Sequence, residues 1–298
     1  MPSLREIRRK IKSVKSTEQI TRAMKMVAAA RMRRAQQAIL SSRPFAVRME
    51  DAVRDLALLE ASDAAAGGAA PIHPFFQARP SGTPCLVVVS SDKGLCGAFN
   101  ANVLRAAMDW LRRHKGERVR LAIVGRKASD MLHRLKGFEA DVLTELIGIF
   151  PRVSFAHAEI LGKTVMDAYA GGKCSKVDVI YTEFKSVVAQ KVLDIPLLPI
   201  PKPEPLAGVP KTADFKFEPA KERLLEALLP RFIKAQLYRV LLESQAAELA
   251  ARMNAMDSAS KNAGELIDAL TLGLNRTRQG IITREIAELV GGAEALAA

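Results

Sequence analysis

Apolar positions recur at helical spacing at both ends of the chain, and the middle is written in shorter runs. Near the start they fall at Leu4, Ile7, Ile11 and Val14, then at Ile20, Met24 and Val27, the stripe of an amphipathic helix. Ser3 can cap that helix, with Glu6 three residues on as the other half of a capping box. Near the other end, Leu249, Met253, Met256, Ser260, Ala263, Ile267, Leu270, Leu274, Thr277 and Ile281 follow at alternating steps of four and three. That unbroken a/d register predicts a left-handed coiled-coil seam, whereas an ordinary core helix rarely keeps strict register so long. Small residues at 260, 263 and 277 would let two helices approach closely. Pro230 lies inside the C-terminal span and is expected to kink or restart its helix.

Between the ends, β-rich runs alternate with helical ones. Strands are predicted at 85–90, 118–124, 141–147, 177–184 and 187–195, with helices at 98–114, 126–135 and 154–170. Such alternation argues for a Rossmann-like α/β domain with a mainly parallel sheet. Residues 61–84 are rich in Ala, Gly and Pro with little periodicity, and seven of the 15 prolines fall between 196 and 219. The chain therefore divides into an N-terminal helix (1–60), a linker (61–84), the α/β domain (85–200), a Pro-rich connection (201–219) and a C-terminal helix (220–298). The expected architecture is an α/β body carried on a long antiparallel coiled coil made from the two chain ends.

Charge changes this picture at one end only. Of the first 48 residues, 13 are Lys or Arg and two, Glu6 and Glu18, are acidic, so this segment holds +11 of the formal +13. So basic a helix needs an acidic partner or counterions. It is also irregular. Continuing the register of Ile7, Ile11 and Val14 puts Glu18, Thr21 and Lys25 on the seam. The partner geometry is therefore expected to change along the helix, with a second surface contacted by Arg22, Lys25, Arg31, Arg33 and Arg34. A transit peptide is disfavoured because the helical pattern continues past Ala38. A nucleic-acid arm would want aromatics for stacking, and Phe45 is the first in the chain. No apolar run approaches the roughly 20 residues of a membrane span.

Candidate chemistry is thin. Residues 90–100, SSDKGLCGAFN, form a Gly-containing strand-to-helix loop of the kind that holds phosphates in doubly wound folds, but they match neither GxGxxG nor GxxxxGK[ST]. Gly94 and Gly97 more simply make a tight turn. Gly162-Lys163-Thr164 resembles the end of a phosphate-binding loop, yet the pattern requires glycine where His157 stands, inside a helical stretch. Val124-Gly125-Arg126-Lys127 is a strand-to-helix turn whose cations could meet phosphate or simply be solvated. The four histidines lack metal-ligand spacing, and the three cysteines (Cys85, Cys96, Cys174) are read as free thiols. No nucleophile–base or paired-acid motif is evident, and no cofactor is expected. Two other readings stay open on these residues: an α/β enzyme for a phosphorylated ligand, and a basic coiled-coil module for nucleic acid.

The motifs themselves carry a resemblance. LREIRRKIKSVKSTEQITRAMKMVAAARMRRAQ at 4–36, SSDKGLCGAFN at 90–100, VGRK at 124–127, LLESQAAELAARMNAMDSASKNA at 241–263 and LNRTRQGIITREIAELVGGAEAL at 274–296 resemble, in the same order, the gamma-subunit family of F-type ATP synthases. The resemblance implies a non-catalytic rotor shaft inside a ring of three alpha and three beta subunits. The α/β body would dock on the epsilon subunit and the membrane-embedded c ring, and torque would couple proton flow to ATP synthesis. It further implies that Met24 and Lys25 face an acidic loop of beta, that Arg278, Gln279 and Thr283 contact loops of beta, and that Arg252 matters for coupling. Lys261-Asn262 stands where many members carry Asp-Asn. No closely spaced cysteine pair of the chloroplast, redox-regulated sort is inserted. A start directly at the shaft motif fits a bacterial protein, peripheral on the cytoplasmic face of the inner membrane, with no nucleic-acid partner.

Overall fold

A computed structural model of the chain describes residues 3–65, 73–135, 137–150, 152–201 and 221–297. Its elements are α1 (Leu4–Ala65), β1 (Thr83–Val89), α2 (Phe99–Arg113), β2 (Val119–Val124), α3 (Arg126–Leu132), β3 (Ala140–Leu146), α4 (Phe155–Ala170), β4 (Cys174–Phe184), β5 (Gln190–Leu198) and α5 (Lys221–Ala297). The chain separates into two compact units, one of Met1–Ala29 with Arg252–Ala298 and one of Ala30–Ala251.

The smaller unit is a two-helix seam. Lys25 sits opposite Asp257, and residues before Lys25 share the unit with residues after Asp257, so the helices run antiparallel. Along α5 the least exposed positions include Met253, Met256, Ser260, Ala263, Ile267, Leu270, Leu274 and Thr277, the predicted a/d register. With 25 opposite 257, the start of α1 at Leu4 falls opposite 278. That explains why every residue from Arg278 to Ala293 is exposed: α5 has outrun its partner.

Along α1 the structure departs from expectation. Its covered positions include Leu4, Ile7, Ile11, Val14, Glu18, Thr21, Lys25 and Ala28, still in strict alternation of three and four. The register does not break at the polar residues. Thr21 is buried and bonds its hydroxyl to the Glu18 carbonyl, and Lys25 pairs with Asp257. Ile20 and Val27, which the apolar stripe would have placed inside, are 57% and 50% exposed. The capping box forms as expected: the Ser3 N–H donates to Glu6 Oε2 (3.0 Å) and the Glu6 N–H to Ser3 Oγ (3.3 Å).

The larger unit is built on a five-stranded sheet in the order β3-β2-β1-β4-β5, parallel except for the antiparallel β4–β5 pair. The β1 run CLVVV is fully buried, as a central parallel strand covered on both faces must be. On one face Leu86, Val88, Ile123 and Ile180 pack with Val103, Ala107, Trp110 and Leu111 of α2. On the other, Val87, Val179 and Tyr181 join Leu161 and Val165 of α4 and Leu229, Ile233 and Leu237 of α5. This anchoring accounts for Pro230. The helix neither ends nor restarts there, because the buried residues on either side hold the chain helical despite one lost N–H bond.

Gly162 lies in α4 where an added Cβ would meet Lys234 Cγ at 3.0 Å, so its job is close helix packing and not phosphate binding. The stretch expected as a linker is partly structured. α1 continues to Ala65, and Pro74–Phe76 form a 3-10 turn that buries Phe75 and Phe76. Residues 66–72 of that stretch, and 202–219 of the expected Pro-rich connection, lie outside the described residues.

Candidate functional site

The loop that most resembled a phosphate site is occupied by the chain's own carboxylate. Asp92 accepts backbone N–H bonds from Gly148 (2.8 Å), Phe150 (3.0 Å) and Arg126 (3.1 Å). A carboxylate thus sits at the first turn of α3, the turn whose VGRK cations were candidates to meet a phosphate. Beside it, Ser90 Oγ accepts from the Ala128 N–H (2.9 Å) and donates to the Val124 carbonyl (3.1 Å). Gly125 is at φ +90°, and a Cβ there would lie 2.4 Å from the Ser90 carbonyl oxygen. These residues pin three loops together at the carboxyl ends of β1, β2 and β3. The motifs SSDKG and VGRK are two halves of one structural clasp. Sequence spacing could not reveal it, because folding alone brings 92, 126, 148 and 150 together.

The other candidate chemistry also resolves structurally. Cys85 and Cys174 meet on the neighbouring strands β1 and β4, and both are buried. The Cys85 hydrogen bond, then Arg120, lowers the Cys174 thiol to about 7; the same bond and burial push Cys85 up. Among the described residues, no group of three or more His, Cys, Asp or Glu side chains could hold a metal ion, and no helix is long and apolar enough to cross a membrane.

The polar centre of the smaller unit is the seam pair. Lys25 Nζ donates to Asp257 Oδ1 at 2.5 Å, and Lys261 approaches Oδ2 of the same carboxylate at 3.2 Å. Lys261 therefore has an acidic partner one turn back on its own helix. Asp257 was not singled out in the sequence. The signal was available: it directly follows the seam residue Met256, a flanking position where coiled coils place interhelical ion pairs.

The hydrogen bond from Lys25, then that from Lys261, holds the Asp257 carboxyl below the usual carboxylate range. A depressed folded pKa contributes stability above the unfolded value of about 4, and that stability is lost as pH falls through the folded value. Carboxyl-carbon NMR titration should give a lower midpoint for Asp257 than for an unpaired Asp, and Lys25→Ala should raise it. An unchanged midpoint in Lys25→Ala would remove the pair from the account.

The remaining candidate positions separate into two places. Met24 is half-buried beside Lys25, and Arg252 is half-buried and engaged within the chain. Arg278, Gln279 and Thr283 are exposed on the stretch of α5 beyond the end of α1. That stretch also exposes Ile281, Ile282, Ile286, Leu289 and Val290, at 38%, 46%, 56%, 74% and 55%. Isolated exposed apolar residues are ordinary, but five on one unpartnered helix end mark a surface made to be covered.

These features define a class: an antiparallel helical seam with an unpartnered, partly apolar tip, joined in sequence to a parallel α/β body whose phosphate-like loop is closed by its own side chain. The sequence model of the family described as ATP synthase matches residues 3–296. The ATP synthase gamma chain of Anaeromyxobacter sp. (strain Fw109-5) is 44% identical over 99% of this chain and 100% of its own length. That of Desulforamulus reducens is 42% identical over the same shares. Among solved structures, a chain of the Tetrahymena thermophila mitochondrial ATP synthase central stalk/c-ring is 25% identical with a TM-score of 0.58. It covers 81% of this chain and 99% of that one. A chain of the Euglena gracilis mitochondrial ATP synthase is similar in fold at 20% identity, with a TM-score of 0.66 over 98% of this chain and 94% of that one. The chain belongs to the ATP synthase gamma chain family.

Proposed function

We propose that this chain is the central rotor shaft of a proton-translocating F-type ATP synthase, carrying torque between a membrane c ring and a catalytic alpha/beta hexamer. Full-length identity of 41–44% to bacterial gamma chains is the observation that carries this reading. The chain is a stalk subunit and not the catalytic one. The physical design agrees. Two helices braced along a strict seam resist twisting, while a basic flank attracts acidic surroundings without a fixed apolar lock.

In this reading the terminal helices (1–60 and 220–298) form the shaft, and the α/β body (85–200) meets the epsilon subunit and the c ring. Met24, Lys25 and Arg252 act at the coupling contact with beta; Arg278, Gln279 and Thr283 bond to beta loops around the tip of α5. The complex lies on the cytoplasmic side of the bacterial inner membrane, with this chain peripheral to it. Exposure of the α5 tip supports the assignment, since its apolar residues need a sleeve that the described residues do not supply.

Arg278→Ala combined with Gln279→Ala removes a charge-assisted donor and an amide from that tip. ATP turnover of the assembled complex is expected to fall about tenfold, the equivalent of one lost charged hydrogen bond. Turnover equal to wild type would move the beta contact elsewhere.

A further inference from the structure

A cavity of about 290 Å³ in the larger unit lies between α1, α5 and the β3–α4 connection. Its cationic lining is arginine alone: Arg31 and Arg34 from α1, and Arg152 from the connection. Tyr238, Leu242 and Gln245, spaced to share one face of α5, form the opposite wall, with Gln245 buried.

Arg31 and Arg34 stand three residues apart on one helix, a repulsive arrangement. Neither has an acid within reach along α1, which carries none between Glu18 and Glu50. None of the three arginines has an ion pair among the described residues, whereas Arg54, Arg112, Arg113, Arg118 and Arg239 all do. Three unneutralised guanidinium groups around one concavity repel one another until an anion enters. The apolar wall supplied by Leu242 and the Tyr238 ring lowers the local dielectric and strengthens any such pairing.

We propose that this cavity binds a phosphate-class oxyanion: inorganic phosphate, pyrophosphate or the phosphate end of a larger metabolite. Guanidinium groups pair with phosphate oxygens bidentately, and an all-arginine lining favours that geometry over a single carboxylate met by lysine. The volume suits a pyrophosphate-sized group and is too small for a folded protein segment. None of the six positions assigned to the beta contacts lines it; Arg31 and Arg34 also belong to the basic surface expected along α1, so Arg152, which does not, tests the site apart from the shaft contacts.

The test is thermal unfolding of the full-length chain titrated with pyrophosphate at constant ionic strength, in wild type, Arg152→Ala, Arg34→Ala and the control Arg126→Ala. All three substituted positions are exposed, so the variants should fold. We expect saturable stabilisation in wild type and Arg126→Ala, with apparent affinity weakened about tenfold or more in the two cavity variants. Equal responses in all four, or none, would show only general screening of a +13 chain and overturn the site. If hexaglutamate gave the Arg152-dependent shift and pyrophosphate did not, the cavity would be a dock for an acidic protein segment and the phosphate proposal would fail. Titration with phosphate and with ADP then distinguishes a free ion from a nucleotide phosphate.

Discussion

Gly125→Ala is expected to destabilise the larger unit by about 3–5 kcal/mol, among the largest effects of any single methyl group in this chain. Two costs combine. At φ +90° a non-glycine residue is strained, and its Cβ would lie 2.4 Å from the Ser90 carbonyl oxygen and 2.7 Å from Ser90 Oγ. Neither neighbour can retreat cheaply. Ser90 directly follows the central strand β1, and its hydroxyl is held between the Val124 carbonyl and the Ala128 N–H. Gly116 is the control, since it shares φ +90° with nothing within 4 Å of its would-be Cβ. Gly116→Ala should cost only the backbone strain, about 1–2 kcal/mol. Urea denaturation of both variants separates strain from clash. Equal losses would mean that the clasp at Ser90 contributes nothing.

The second large effect is functional. Met24→Lys places a third cation beside Lys25, where Asp257 already serves both Lys25 and Lys261. Competition of this kind weakens an exposed, solvent-screened ion pair only modestly, so the larger effect comes from the partner side. Because residue 24 is only half-buried, a lysine head can also reach outward and grip an acidic partner surface. A contact meant to yield as the shaft turns would then hold too long. ATP hydrolysis by the assembled complex should persist while protons pumped per ATP drop severalfold, which vesicle acidification measured against phosphate release would show. Unchanged pumping per ATP would displace the coupling contact from Met24.

Much of this architecture is written openly in the sequence, and the exceptions have physical causes. The α5 seam was legible from Met253 to Thr277 because its a/d positions there are apolar or small and its flanks polar; Ile281, read as the next seam residue, is instead exposed because α1 has already ended. The strands could be read because a buried parallel sheet needs β-branched runs such as VVV, bounded by turn residues. The α1 seam was harder. There the polar residues Glu18, Thr21 and Lys25 occupy covered positions while Ile20 and Val27 face outward. Tertiary pairing, above all Lys25 with Asp257, overrides the apolar stripe. The buried Phe75 and Phe76 were hidden in a stretch whose Ala, Gly and Pro content resembles a linker. The clasp at Asp92 was invisible for a different reason. A carboxylate that serves three distant N–H groups has no sequence spacing to betray it.

The central claim is that this chain works only as the shaft of a larger machine. The most direct measurement is co-expression with the alpha and beta subunits from the same genome, followed by native mass spectrometry and an ATPase assay. The expected result is a complex of three alpha, three beta and one copy of this chain, with sustained ATP hydrolysis that requires the chain. Well-folded alpha and beta subunits that assemble and turn over ATP without it, leaving it unbound, would contradict the account.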